Sequence, residues 1–178
     1  FPAAANTYAC ALDVPISEAG TPHLNMLLRR TLLDAGLATY RAKDSHNRQR
    51  PFVALSESSC SPDEEKTLAK DGSYPSGHAA LGWAWALVLT EIAPERANAL
   101  LARGQAFGHS RVVCGVHWAS DVAAGQQVGA AVVAHAAPDG PLCLAGFSFG
   151  AFVTTHAFEK LQPQRSIDKL VLIGTSVS

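Results

Sequence analysis

From Gly77 to Ile92 the sequence reads Gly-His-Ala-Ala-Leu-Gly-Trp-Ala-Trp-Ala-Leu-Val-Leu-Thr-Glu-Ile, small or apolar on nearly every side. A helix without a polar face has to be covered all round, so this segment belongs at the centre of a helical bundle. Its longest apolar run, Ala79 to Leu89, is closed by Thr90-Glu91 and falls well short of the roughly 20 residues that cross a bilayer. The expectation is a soluble chain with no membrane span.

The flanking segments supply the rest of the bundle. Thr21 can cap a helix, Pro22 suits its first position, and Leu24, Leu27, Leu28, Leu32 and Ala35 recur at helical spacing, which predicts a helix to about Ala42. Pro94 restarts a helix whose Ala97, Leu100, Leu101 and Gly104 face inward before Gly108 ends it, and another runs from about Trp118 to His135. Phe1 to Gly20 reads as irregular. Asp44 to Lys70 reads as a long surface connection with one short helix, and Asp71 to Pro75 as a turn.

After Ala137 the pattern changes. Pro138-Asp-Gly-Pro141 is a turn, Leu142 to Ala145 a short apolar run, Gly146-Phe-Ser148-Phe-Gly150 a sharp bend, Ala151 to Leu161 a helix and Leu170 to Ile173 a second apolar run. The fold expected is mainly α, a helical bundle over residues 1–137 with a strand–helix–strand segment over residues 138–178.

At 178 residues, 48% hydrophobic and 16% charged, the chain has room for one or at most two folding units. A net charge of −1 gives no footprint for nucleic acid and no polybasic surface for anionic lipid. Association of the chain with itself is left open. Phe1 is preceded by no basic, apolar leader, so a signal peptide was either removed or never present. Cys10, Cys60, Cys114 and Cys143 are too scattered for a zinc site. Cys10 and Cys60, both in polar loop contexts, would suit one disulfide in an oxidising compartment, or stand unpaired.

Three clusters carry chemistry. His117 and Asp121 are four apart, which would place them on one helical face, the carboxylate holding one imidazole nitrogen and leaving the other free to attack. The same spacing also occurs as an ordinary hydrogen bond on a helix surface. Arg50 and Arg111 offer planar forks that match phosphate oxygens, and Lys43 adds a point charge. Ser76-Gly77 opens a helix whose free N–H groups suit an anion, and His78 beside them could protonate a leaving alkoxide. Together these describe a phosphate site with a nucleophile.

In this order the clusters resemble the signature of the type 2 phosphatidic acid phosphatase and vanadium haloperoxidase superfamily: Lys-x6-Arg-Pro, Pro-Ser-Gly-His, then Ser-Arg-x5-His-x3-Asp. All eleven specified positions are present, from Lys43 to Asp121. Flanking stretches such as Gly72-Ser-Tyr-Pro-Ser-Gly-His and Val112-Val-Cys-Gly-Val-His-Trp look like the soluble bacterial class A nonspecific acid phosphatases. The resemblance covers about Ala5 to Ala137.

It implies a periplasmic or secreted phosphomonoesterase of broad specificity, active at acid pH without metal or other cofactor. A small phosphomonoester is the partner implied. His117 would be the phosphorylated nucleophile, Asp121 its orienting partner and His78 the general acid, with Lys43, Arg50, Ser76, Gly77 and Arg111 as the phosphate cradle. Vanadate-dependent haloperoxidation would use the same cradle, but the flanking stretches favour the phosphatase.

Two features depart from that pattern. Only about forty residues precede Lys43, so the bundle is expected to be short at its N-terminal side and an inactive phosphate-binding chain is an alternative. The tail instead resembles the nucleophile elbow of an α/β-hydrolase, Gly146-x-Ser148-x-Gly150 between an apolar run and a helix. A serine esterase fragment is thus a third reading. Only His156 follows Ser148, on the elbow helix itself, so no triad can be completed and Ser148 is not expected to act.

Overall fold

A computed structural model describes residues 2–136, 143–147 and 169–173. The chain falls into two compact units, residues 1–133 and 134–178, each described here on its own. The first is built from helices: α1 (Pro2–Asn6), α2 (Ala9–Leu12), α3 (Pro22–Leu37), α4 (Tyr40–His46), α5 (Pro51–Leu55), α6 (Glu65–Leu68), α7 (Gly77–Ile92), α8 (Ala97–Val113) and α9 (Ala119–Ala136). Short 3₁₀ turns at Pro62–Glu64 and Pro94–Arg96 lead into α6 and α8.

Helix α7 spans the predicted residues and is the centre of the bundle. Ala79, Ala80, Trp83, Ala84, Trp85, Ala86 and Leu89 are all buried along it. Trp85 packs with Tyr8, Leu28 and Leu100, and its Nε1 donates to Leu28 O at 2.9 Å, so the buried indole is satisfied. Tyr8 OH donates to Gly82 O at 2.6 Å, and its ring meets Trp85 edge-on. These contacts explain why the N-terminal segment, read from sequence as irregular, forms α1 and α2: Ala5, Tyr8, Leu12 and Ile16 are drawn into the core.

Other boundaries also shift. The helix predicted to reach Ala42 breaks at Ala38-Thr39, where Thr39 turns its hydroxyl back to Gly36 O, and restarts as α4. On α3 the inward positions include Asn25 and Thr31, and Leu27 is exposed rather than buried. Thr31 is satisfied within its own helix by Leu27 O at 2.9 Å, which makes its burial tolerable. The connection of residues 44–70 carries the end of α4, then α5 and α6, rather than one short helix. Helix α8 runs past Gly108 to Val113, because Gly108 faces Ala79 and Val122 at a close crossing instead of ending the helix.

In the second unit, β1 (Cys143–Phe147) and β2 (Lys169–Ile173) pair in parallel, with Cys143 opposite Lys169 and Phe147 opposite Ile173. Gly146 and Phe147, assigned from sequence to the bend, continue the strand because they pair with Leu172 and Ile173. The predicted turn at 138–141, Ser148, Gly150, His156 and the helix of residues 151–161 lie outside the described residues.

Candidate active site

Two helix starts meet at the site. Ser76 caps α7, its side chain accepting from Ala79 N at 3.3 Å while its carbonyl accepts from Ala80 N at 3.0 Å. The N–H groups of Gly77 and His78 are then the unpaired donors of the first turn. Helix α9 lies close enough that a Cβ on Gly125 would come within 2.3 Å of Ser76 O, and one on Gly129 within 2.2 Å of Ala80 O. No other residue type fits there. That approach lets Ser76 N donate to Asp121 O at 2.9 Å, so the start of α9 is tied to the start of α7.

His117 lies in the turn before α9, not on the helix with Asp121 as its spacing suggested. Val116 N and His117 N both donate to Arg111 O at 3.2 Å, and Gly115 takes φ 76° to allow that reversal. A disulfide joins Cys60 to Cys114, and Cys60 N donates to Cys114 O at 2.9 Å, so the turn bearing His117 is tethered to the segment after α5. Of the two readings left open for Cys10 and Cys60, their mutual disulfide is overturned: Cys10 on α2 stands free, while Cys60 meets Cys114 at the end of α8.

These elements enclose a cleft of about 300 Å³ lined by Lys43, Arg50, Gly77, His78, Arg111 and His117 among others. Of the residues singled out from sequence, these six share the cleft. Asp121 stands behind His117, fully buried, and Ser76 is buried at the start of α7 with its hydroxyl committed to the cap. Leu32, Tyr40, Leu68 and Leu81 give the cleft an apolar side.

Arg50 fixes the state of the imidazole. Its Nη1 lies 3.2 Å from His117 Nε2, and since a guanidinium can only donate, Nε2 is the acceptor and the neutral ring carries its proton on Nδ1. Nδ1 lies 3.5 Å from Asp121 Oδ2, an ion-pair distance without a formed hydrogen bond. Asp121 is engaged on both oxygens: Oδ1 accepts from Arg48 Nη1 and Oδ2 from Trp118 N, each at 2.8 Å. Burial alone would raise the pKa of Asp121, but the facing His117 Nδ1–H, the Trp118 N–H bond and the Arg48 charge outweigh it and hold the carboxyl below its ordinary range.

Both histidines are held toward the neutral form. Burial lowers the pKa of His117, and Arg50 and Lys43 add to it, while Asp121 opposes. His78 is lowered to about 4, first by desolvation among the packed atoms of the cleft and then by Arg111, His117, Arg50 and Lys43. The residue is nevertheless exposed, so the repulsion from the surrounding cations is the firmer cause. Lys43 is lowered by burial, against which Asp71 holds it up.

The structure adds residues that sequence reading passed over. Asp71 Oδ2 accepts from Arg50 Nη2 at 2.9 Å and Lys43 Nζ at 3.4 Å, joining the two cations. Arg48 bonds Asp121 and Ser120 and lies over the Trp118 ring, 5.3 Å from its centroid. Arg48 stands inside the first basic cluster and could have been picked out there; Asp71 looked like a turn residue, and nothing local signals its role. Ser110 Oγ accepts from Arg111 Nε at 3.2 Å and orients that side chain.

A family model described as the PAP2 superfamily matches residues 23–140. Among curated proteins the chain is similar to a non-specific acid phosphatase of Providencia stuartii, 46% identical over 138 residues, 76% of this chain and 56% of that protein. It is also similar to an acid phosphatase of Zymomonas mobilis subsp. mobilis, 48% identical over 118 residues, 66% of this chain and 45% of that protein. A non-specific acid phosphatase of Salmonella typhimurium is 48% identical over 127 residues, 71% of this chain and 51% of that protein. The chain spans about half the length of the curated relatives it matches.

Proposed function

Since the chain belongs to the PAP2 superfamily, we propose that its cleft hydrolyses phosphomonoesters through a phosphohistidine, as an acid phosphatase of broad specificity. The observation that carries the reading is the setting of His117: Nε2 beside the Arg50 guanidinium, whose donor disfavours a proton there, and Nδ1 facing Asp121.

The phosphoryl group is held by Lys43, Arg50 and Arg111, with the N–H groups of Gly77 and His78 at the α7 start that Ser76 caps. Arg50 shifts its donation from Nε2 to a phosphoryl oxygen, which frees the lone pair. Nε2 attacks phosphorus in line, the bond to the ester oxygen breaks, and His78 delivers a proton to that oxygen. The phosphorylated ring becomes cationic, and Asp121 stabilises it through Nδ1–H. Water then attacks phosphorus, gives its proton to His78 and releases phosphate and neutral His117.

The pKa directions fit operation in acid. A nucleophile lowered from the ordinary value near 6.5 keeps its lone pair as the pH falls, and a bound anion raises His78 so that it can carry the proton it must donate. The Cys60–Cys114 bond supports a periplasmic or secreted site of action, since disulfides persist in oxidising compartments. Among the described residues no helix is long and apolar enough to cross a membrane.

The test is hydrolysis of an aryl phosphate across pH, with EDTA and with vanadate. The expected result is chelator-resistant activity blocked by vanadate, and its loss by at least ~10⁴-fold in His117→Ala with phosphate binding retained. A phosphoenzyme trapped in His117→Ala would put the nucleophile elsewhere.

A further inference from the structure

A cleft that takes phosphate needs positive charge, yet this one includes a carboxylate against its own cations. Asp71 Oδ2 touches both Arg50 and Lys43, and Asp71 lines the cleft with its side chain still 40% exposed. An inward structural brace has no need of that exposure. Asp121, the other acid nearby, is neutralised by Arg48 and wholly buried. Lys43 on α4, Arg50 before α5 and Arg111 on α8 are therefore set against Asp71, with Glu64 of the 3₁₀ turn also lining the cleft and His78 and His117 neutral.

We propose that Asp71 selects the charge of the phosphoryl group: by cancelling one cationic charge of the cradle it makes the cleft accept a monoanion in preference to a dianion. The proposal rests on the phosphate-site reading above. A monoester is largely monoanionic below its second ionisation, near pH 6, so the preference would confine tight binding to acid. Asp71 acts through the two cations as a positioning and charge-setting residue.

The experiment is calorimetric titration of inorganic phosphate into the wild type, Asp71→Asn and Asp71→Glu between about pH 5 and about pH 8 at constant ionic strength. Asp71→Asn keeps the shape and an acceptor for Arg50, and thermal melts check that each variant is folded. It should bind phosphate more tightly than the wild type, by about threefold at the acid end and about tenfold once phosphate is dianionic, with Asp71→Glu restoring wild-type behaviour. A ratio that does not change with pH overturns the selection. Weaker binding in Asp71→Asn also overturns it, and would make the carboxylate a support that keeps Lys43 charged and Arg50 in place. If no variant, wild type included, binds phosphate, both the proposal and the phosphate-site reading fall; binding with unchanged pH dependence removes the proposal alone.

Discussion

The two sides of the cleft are built on opposite plans. On one, Arg50 donates to Leu68 O, Asp71 O and Val116 O at 2.8–3.1 Å and to the Asp71 carboxylate, while Lys43 donates to Gly72 O at 2.5 Å. On the other, the Arg111 side chain has one hydrogen bond among the described residues, to its neighbour Ser110, and His78 has a stacked contact with Phe107. Groups on the braced side are preorganised because the fold already satisfies them. Those on the open side have few partners in the fold, so if they serve the proposed phosphate site their worth should show in kinetics and binding rather than in stability.

The sharpest challenge to that contrast is His78→Ala. If His78 is the general acid, turnover of alkyl phosphates should fall by ~10²–10⁴-fold while phenolic esters, whose leaving oxygen needs little help, lose far less, and the melting temperature stays near wild type. Equal losses for both substrates would remove the role.

Next comes Arg50→Ala, which strips donors from several backbone carbonyls at once. It should destabilise the fold by about 3 kcal/mol in addition to impairing turnover, measured by denaturant titration. Arg111→Ala is the matched control on the open side: phosphate affinity should drop by about tenfold to a hundredfold, with stability within about 0.5 kcal/mol of wild type. Comparable destabilisation by both variants would erase the distinction between the two sides.

A change behind both sides should be smaller. Gly129→Ala sets a methyl against Ala80 O, and the separation of α9 from α7 that follows should cost about 1–3 kcal/mol and slow turnover by shifting Asp121. The least effect expected is on the pH dependence of stability. His78 in the folded chain is depressed to about 4 from an ordinary value near 6.5, so the unfolded chain takes up the proton first and stability falls as the pH drops through that window. His78→Gln should flatten that slope in phosphate-free buffer, modestly, because the residue is exposed. An unchanged slope would mean that solvent screens the cations around it.

Much of this was legible from residues alone. The Gly77–Ile92 run sets a buried central helix because no face of it could remain in water, and its ends are marked by Ser76 and the 3₁₀ turn at Pro94. The Lys43, Arg50, His78, Arg111 and His117 cleft was likewise written in residue type and spacing. Tertiary contact decided the rest. The N-terminal segment becomes helical only because Tyr8 finds Gly82 O and the Trp85 ring; His117 leaves the helix because Gly115 reverses the chain; Cys60 meets Cys114 because α8 ends beside the segment after α5. Local sequence encodes periodicity, caps and reactive groups, which depend on neighbours a few residues away. Whether Asp71 lies against Lys43 and Arg50, 28 and 21 residues distant, depends on how the helices pack, and that is where the charge of the cleft is set.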